Sequence, residues 1–178
     1  MRTTKAPWPA PENAMALTCK AGLIPEKAEF LQYHVHAHLD VFVNGRVVLV
    51  PAGLGIDTTN PAVITDKSQN GLVTGAGLQQ VCDQPCISPL HTHDLSGVLH
   101  TETKTPQPNH LGGLFTEWAV RLTPHCVGGY CKPGTPIGFY VNGKKWTGDP
   151  RQIELSDLRE IAVVIGAPPT KIPSAFPK

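Results

Sequence analysis

The sequence predicts a mainly β fold, an antiparallel sandwich or barrel with one short helix near residues 112–122. Three observations carry this. Apolar and polar residues alternate in "YHVHAHLDVFVNGRVVLVPAG" from Tyr33, the period of a strand with one buried face. Two Asn-Gly pairs, Asn44-Gly45 and Asn142-Gly143, sit inside matching "Val-Asn-Gly-cation" stretches, the strongest short signal for a tight hairpin. Gly 17 and Pro 18 together make about a fifth of the 178 residues, which favours many turns and short strands over long helices.

Each element follows in order. Residues 1–25 are rich in Pro and Ala and read as an extended N-terminal arm. Strands are expected at about 33–43 and 46–50, joined at Asn44-Gly45. Residues 51–80 read as loop with short strands. A second hairpin spans 86–102. After Pro106 and Pro108, "LGGLFTEWAVRL" places Leu114, Phe115, Trp118 and Leu122 at helical spacing. Its Phe and Trp are core residues by the burial habits of aromatics. "IGFYVNGKKW" forms a third hairpin, and "QIELSDLREIAVVIG" two last strands around a turn or short helix at Ser156–Arg159. Residues 26–167 form a single metal-binding β domain, and residues 168–178 a Pro-rich tail. A β-grasp-like α+β sheet is the alternative architecture.

Composition narrows the function. Net charge is +1 and charged residues make 16% of the chain, so neither nucleic acid nor an anionic membrane is indicated as partner. No apolar run approaches the length of a membrane span. Cys19, Cys82, Cys86, Cys126 and Cys131 are an odd number. "CVGGYC" and "CDQPC" each bracket a turn-like loop, Cys19 is within reach of either Cys82 or Cys86, and two disulfides with one leftover thiol are expected. A reduced zinc-thiolate site is the rival arrangement. The N-terminal stretch lacks an apolar core and is not a signal peptide; the chain is expected to be a mature or trimmed form of an extracytoplasmic protein.

Six of eight histidines lie in two runs. On a strand, His34, His36 and His38 all project from one face while Val35, Ala37 and Leu39 point into the core. In "HTHDLSGVLHTE", Asp94 to Gly97 is a turn sequence. A four-residue turn there sets His91 opposite His100 and His93 opposite Val98, so His91, His93, His100 and Glu102 emerge on one side. Imidazole is the commonest transition-metal ligand at neutral pH. The metal ligands expected are His34, His36, His38, His91, His93 and His100, holding one transition metal ion, Cu or Zn first and Fe third. Glu102 and Asp94 are the candidate catalytic acid or base, with Asp40 and Asp94 as acceptors for outer imidazole N–H groups. His110 and His125 read as surface residues and Ser96 as a turn residue.

"YHVHAHLDVFVNG", "VPAGLGI", "LHTHDLSGVLHTE", "LFTEWAVRL" and "REIAVVIG" resemble a family of exported bacterial and archaeal proteins of unestablished function. The resemblance covers residues 30–166, and the six histidines and Glu102 fall on its motifs. It implies export and a histidine site. Three function classes follow: an extracytoplasmic metal binder; a metalloenzyme acting on a small-molecule substrate, either a copper or iron oxidoreductase or a zinc-type hydrolase or hydratase; and a surface interaction module.

Overall fold

The computed structural model describes residues 1–177. Its elements are α1 (Ala14–Lys20), β1 (Tyr33–Val43), β2 (Arg46–Val48), β3 (Val63–Lys67), β4 (Val73–Leu78), β5 (Leu90–His91), β6 (Val98–Thr103), α2 (Leu111–Glu117), β7 (Cys126–Val127), β8 (Tyr130–Cys131), β9 (Ile137–Val141), β10 (Lys144–Lys145) and β11 (Arg159–Ile165). One sheet runs β10-β9-β11-β1-β6-β5, with β2 also paired to β1. The strand pairs β3–β4 and β7–β8 form two separate ribbons.

The fold is mainly β, with a short helix where the sequence places one. It differs from an antiparallel sandwich in two respects and is a β-rich α+β fold: one large sheet forms rather than two packed sheets, and within it β1 and β11 are parallel, with Ala37 opposite Arg159 and Val43 opposite Ile165. The sheet is open rather than a closed barrel among the described residues. β1 is long enough to take β6 along its first half and β2 along its second on the same edge. That makes β1 the spine of the molecule.

Local chemistry explains the turns. Asn44 and Gly45 have φ of 50° and 76°, and Asn142 and Gly143 have 49° and 75°. Both pairs adopt the left-handed conformations a two-residue hairpin demands. α2 is shorter than its apolar pattern. Two glycines weaken its first turn, and Ala119, at φ 57°, ends it. Leu122 therefore lies beyond the helix, while Leu114, Phe115 and Trp118 are fully buried.

Strand parity divides the sheet into two faces. Ala37, Leu39 and Val41 of β1, with Ile161, Val163 and Ile165 of β11, enter the main core against Leu114, Phe115 and Trp118. Phe42, Ala162 and Val164 lie on the opposite face in a small cluster joined by Ile172. The histidines share that second face. The N-terminal segment, expected as an extended arm, instead carries α1 and drives Trp8 into the main core at 1% exposure. Trp8 meets Trp118 edge-on at 5.7 Å, and burying an aromatic of this size repays the ordering of the arm. Only one strand, β11, forms between 152 and 166; Glu154 makes an isolated bridge to His110.

Disulfides join Cys82 to Cys86 and Cys126 to Cys131, and Cys19 is a free, exposed thiol. No helix among the described residues is long and apolar enough to cross a membrane.

Candidate metal centre

The turn at Asp94–Gly97 sets the register of the site. The Asp94 carboxylate accepts from the Ser96 amide at 2.8 Å, and the Ser96 hydroxyl accepts from the Val98 amide at 3.2 Å. Gly97 sits at φ +87°, where a side chain is strained. The strands then pair His91 with His100 and, one strand further, His100 with His36. His34 lies opposite Glu102 in the next row of the same face. Directly opposed residues share a face, so three strands deliver a row of imidazoles. The rings are close: His36 and His93 each lie within 4.5 Å of His100, centroid to centroid, at 4.4 and 4.5 Å.

Backbone carbonyls orient two of these rings. His91 donates from Nδ1 to the Ser88 carbonyl at 2.9 Å, and His93 donates from Nδ1 to the Ala76 carbonyl at 2.8 Å. A carbonyl can only accept, so the neutral form of each imidazole carries its proton on Nδ1 and its lone pair on Nε2. Those two Nε2 atoms face each other at 3.2 Å. In that form two lone pairs oppose each other with no proton to bridge them. Ligands on one tetrahedral zinc at 2.0–2.1 Å stand about 3.3 Å apart. The spacing would suit two nitrogens on a common cation, and the Nδ1 contacts match the outer hydrogen bonds that fix ligand histidines in metal sites.

The electrostatics favour lone pairs over charge. His91 is completely buried, and burial holds its imidazole down at about 3. His36 is also held below its usual value, first by burial and then by its neighbours His100 and His34. Burial acts to raise Glu102. The hydrogen bond from His100 and the imidazoles of His91 and His34 outweigh it, and the group stays a carboxylate below the usual range. Its Oε1 accepts from His34 Nε2 at 3.1 Å and from His100 Nδ1 at 3.2 Å. Its buried Oε2 has no hydrogen-bond partner. A buried, unpartnered carboxylate oxygen beside clustered imidazoles is a donor set that could hold a cation.

Among the described residues, the donor atoms form three groups. His91, His93, His100 and Glu102 make one; His34, His36 and His100 a second; His38, Asp40 and Glu160 a third. The third is of a different kind. Both His38 nitrogens are engaged, Nδ1 with Glu160 Oε2 at 2.8 Å and Nε2 with the Ser96 carbonyl at 2.8 Å. Burial acts to lower His38, and the bond and charge of Glu160 with the Ser96 carbonyl reverse it to a net rise. Burial raises Glu160 as well. The two shifts agree once the pair is taken together: it holds one shared proton more tightly than either group would alone. No lone pair of His38 is left for an ion.

The structure thus brings together His34, His36, His91, His93, His100 and Glu102, and sets His38 apart from them. Asp94, a candidate acid or base, lies in neither of the first two groups. Its hydrogen bonds from Ser96 hold it below the usual carboxylate range and make it a turn cap. Asp40 stands 3.8 Å from His38 Nδ1, and Glu160 is the closer acceptor. Cys86 is in a disulfide and Ser96 in the turn. Sequence reasoning missed Glu160, Glu29 and the Ser88 and Ala76 carbonyls. Glu29 approaches His93 Nε2 at 3.9 Å. Glu160 had a signal: an acid inside the apolar run "REIAVVI" needs a partner when buried. A groove of about 970 Å³, lined by Trp8, Val47, Leu49 and Leu72 among others, includes no histidine and lies away from this chemistry.

Comparison with family models, with curated proteins and with solved structures finds no match for this chain.

Proposed function

We propose that this protein is an extracytoplasmic metal binder that holds Cu(II) or Zn(II), with Fe(II) next in order, through its clustered histidines. One observation carries the reading: the Nε2 atoms of His91 and His93 oppose each other at 3.2 Å with both Nδ1 protons committed to backbone carbonyls. Imidazole with one carboxylate is a donor set that suits these ions. His100 and Glu102 complete four donors, the number that closes a site rather than leaving a position for substrate. Two disulfides support an oxidising compartment, and the exported family that the motifs resemble fits the same reading.

The test is metal uptake. Chelator-stripped protein is offered Zn(II) or Cu(II) at micromolar levels, dialysed and assayed for bound metal. It should retain at least one ion per chain. His93→Ala should weaken binding beyond the roughly 10–100-fold that loss of an outer hydrogen bond costs. Stripped, folded protein that takes up neither ion would overturn the proposal.

A further inference from the structure

We propose that the histidine face holds two metal ions, not one, in two donor sets that meet at His100. This rests on the metal-binding reading above and deepens it.

The first argument is reach. An ion with nitrogen and oxygen donors at 2.0–2.2 Å cannot gather donor atoms more than about 4.4 Å apart. The six residues do not form one group even within 4.8 Å. They divide into His91, His93, His100 and Glu102, and His34, His36 and His100, each with its donor atoms within 4.8 Å of one another and so needing only a small closure to reach one ion. His100 is the one residue common to both; to serve two ions, one on each ring nitrogen, its imidazole gives up its remaining N–H proton to solvent.

The second argument is that each set has its own close pair. His91 and His93 stand 3.2 Å apart at Nε2. His36 Nε2 stands 3.2 Å from His100 Nδ1. The first is the spacing of two ligands on one ion, and the second becomes one when an ion displaces the proton that His100 Nδ1 shares with Glu102 Oε1 at 3.2 Å. The sheet explains the duplication: His91, His100 and His36 sit on three adjacent strands in direct register. With strands 4.7–4.9 Å apart, the outer two imidazoles are roughly 10 Å apart at the backbone and lean on opposite sides of His100.

The third argument is Glu102. Its Oε1 lies 3.1 Å from His34 Nε2 in one set and 3.9 Å from His91 Nε2 in the other. Its Oε2 is buried and lacks a partner. A carboxylate between two donor sets, with one oxygen unclaimed, matches the way paired metals a few ångströms apart share a ligand. The sets differ in access: His91 is fully buried, whereas the His34 side chain is 33% exposed. The inner set binds first and more tightly; the outer set fills second.

Titration of the chelator-stripped full chain with Cu(II), read by competition with a chromophoric chelator, tests this. Two equivalents should bind in two steps. The double variant His34→Ala, His36→Ala alters partly exposed side chains, and should bind one equivalent with the tight step intact. His93→Ala should lose the tight step and keep the weak one. Circular dichroism checks that each is folded. Electron paramagnetic resonance gives a second readout: two Cu(II) ions sharing a ligand lose signal through spin coupling, so the doubly loaded protein should show less signal than its copper content. One equivalent in the wild type, lost equally in both variants, overturns the two-ion proposal and leaves the metal-binding reading standing. No binding at all overturns both. Two equivalents that survive in the His34/His36 variant place the second ion elsewhere and also overturn it.

Discussion

Glu160 lies directly across the parallel pair from His38, and its Oε2 meets His38 Nδ1 at 2.8 Å. This one relationship separates a histidine that holds the fold from the histidines that can hold an ion. Glu160 is 1% exposed and already has an unpartnered Oε1. Removing the imidazole would leave a buried carboxylate with no partner, a change that typically costs about 3–5 kcal/mol. His38→Ala should therefore lower the melting temperature markedly and leave metal stoichiometry unchanged. His36→Ala should do the reverse. Loss of metal in folded His38→Ala protein would return His38 to the ligand set.

The turn that sets the site's register depends on one backbone position. Gly97 has φ +87°, and an added Cβ would stand 2.6 Å from the Leu39 carbonyl oxygen and 3.1 Å from His38 Nε2. The Gly97 carbonyl also accepts from the Leu39 amide at 2.9 Å, tying the turn to the spine strand. Gly97→Ala should cost on the order of 1–3 kcal/mol in backbone strain, with the steric contacts added. Metal affinity should fall with it, because the His91–His100 register is the turn's product. Urea unfolding and metal titration on the same sample check both. Unchanged stability would show that the turn relaxes freely.

Much of this was legible in the sequence, and the part that was not has a physical cause. The period-2 spacing of His34 and His36 fixes their common face, and the Asp-x-Ser-Gly turn fixes His91 against His100. These are local facts, and local chemistry decides them. Strand order is not local. That β11 would lie parallel beside β1, bringing Glu160 onto His38, depends on a connection across more than a hundred residues. The hairpin of β3 and β4, where Ala76 accepts from His93, reads only as loop with short strands because its Gly-rich sequence has weak periodicity. The carbonyls that orient His91 and His93 carry no side-chain signature at all. Trp8 was visible as a residue, but its destination in the core was not, since Pro and Ala around it signal only an irregular segment.

Glu117 supplies a pH dependence independent of the histidines. It is 1% exposed, accepts from the Thr18 hydroxyl at 2.9 Å, and has no partner for Oε2. Burial pushes it up from 4.5 to about 8, against the hydrogen bonds from Ser88 and Thr18. Between those values the folded protein keeps a proton that the unfolded chain has released. Its stabilising contribution is therefore full below about 4.5 and is lost as pH rises to about 8. At one pK unit per about 1.4 kcal/mol, the loss is on the order of a few kcal/mol. Glu117→Gln, which is neutral at every pH, removes this dependence. The stability of the wild type minus that of the variant should fall steadily from pH 5 to pH 8, and a difference that stays flat would show that Glu117 is ionised in the fold.

Glu102 decides between a binder and an enzyme. Its carboxylate turns toward the imidazoles, with Oε1 at 3.1 and 3.2 Å from His34 and His100, within reach of either role. Two outcomes separate the roles. As a ligand it contributes negative charge to the ion, and Glu102→Gln, nearly the same shape but uncharged, should weaken metal affinity by about tenfold or more while leaving the fold intact. As a general base it would act on a metal-bound water, and the same change would keep the metal and abolish turnover. Closure of the inner set by four donors favours the first outcome, because a catalytic site keeps one position open. Zinc-loaded wild-type protein should accordingly hydrolyse an activated ester no faster than the free ion does, and Glu102→Gln should lose metal rather than rate. Ester hydrolysis well above the free-ion background, lost in a Glu102→Gln variant that retains its zinc, would instead make this site an enzyme's.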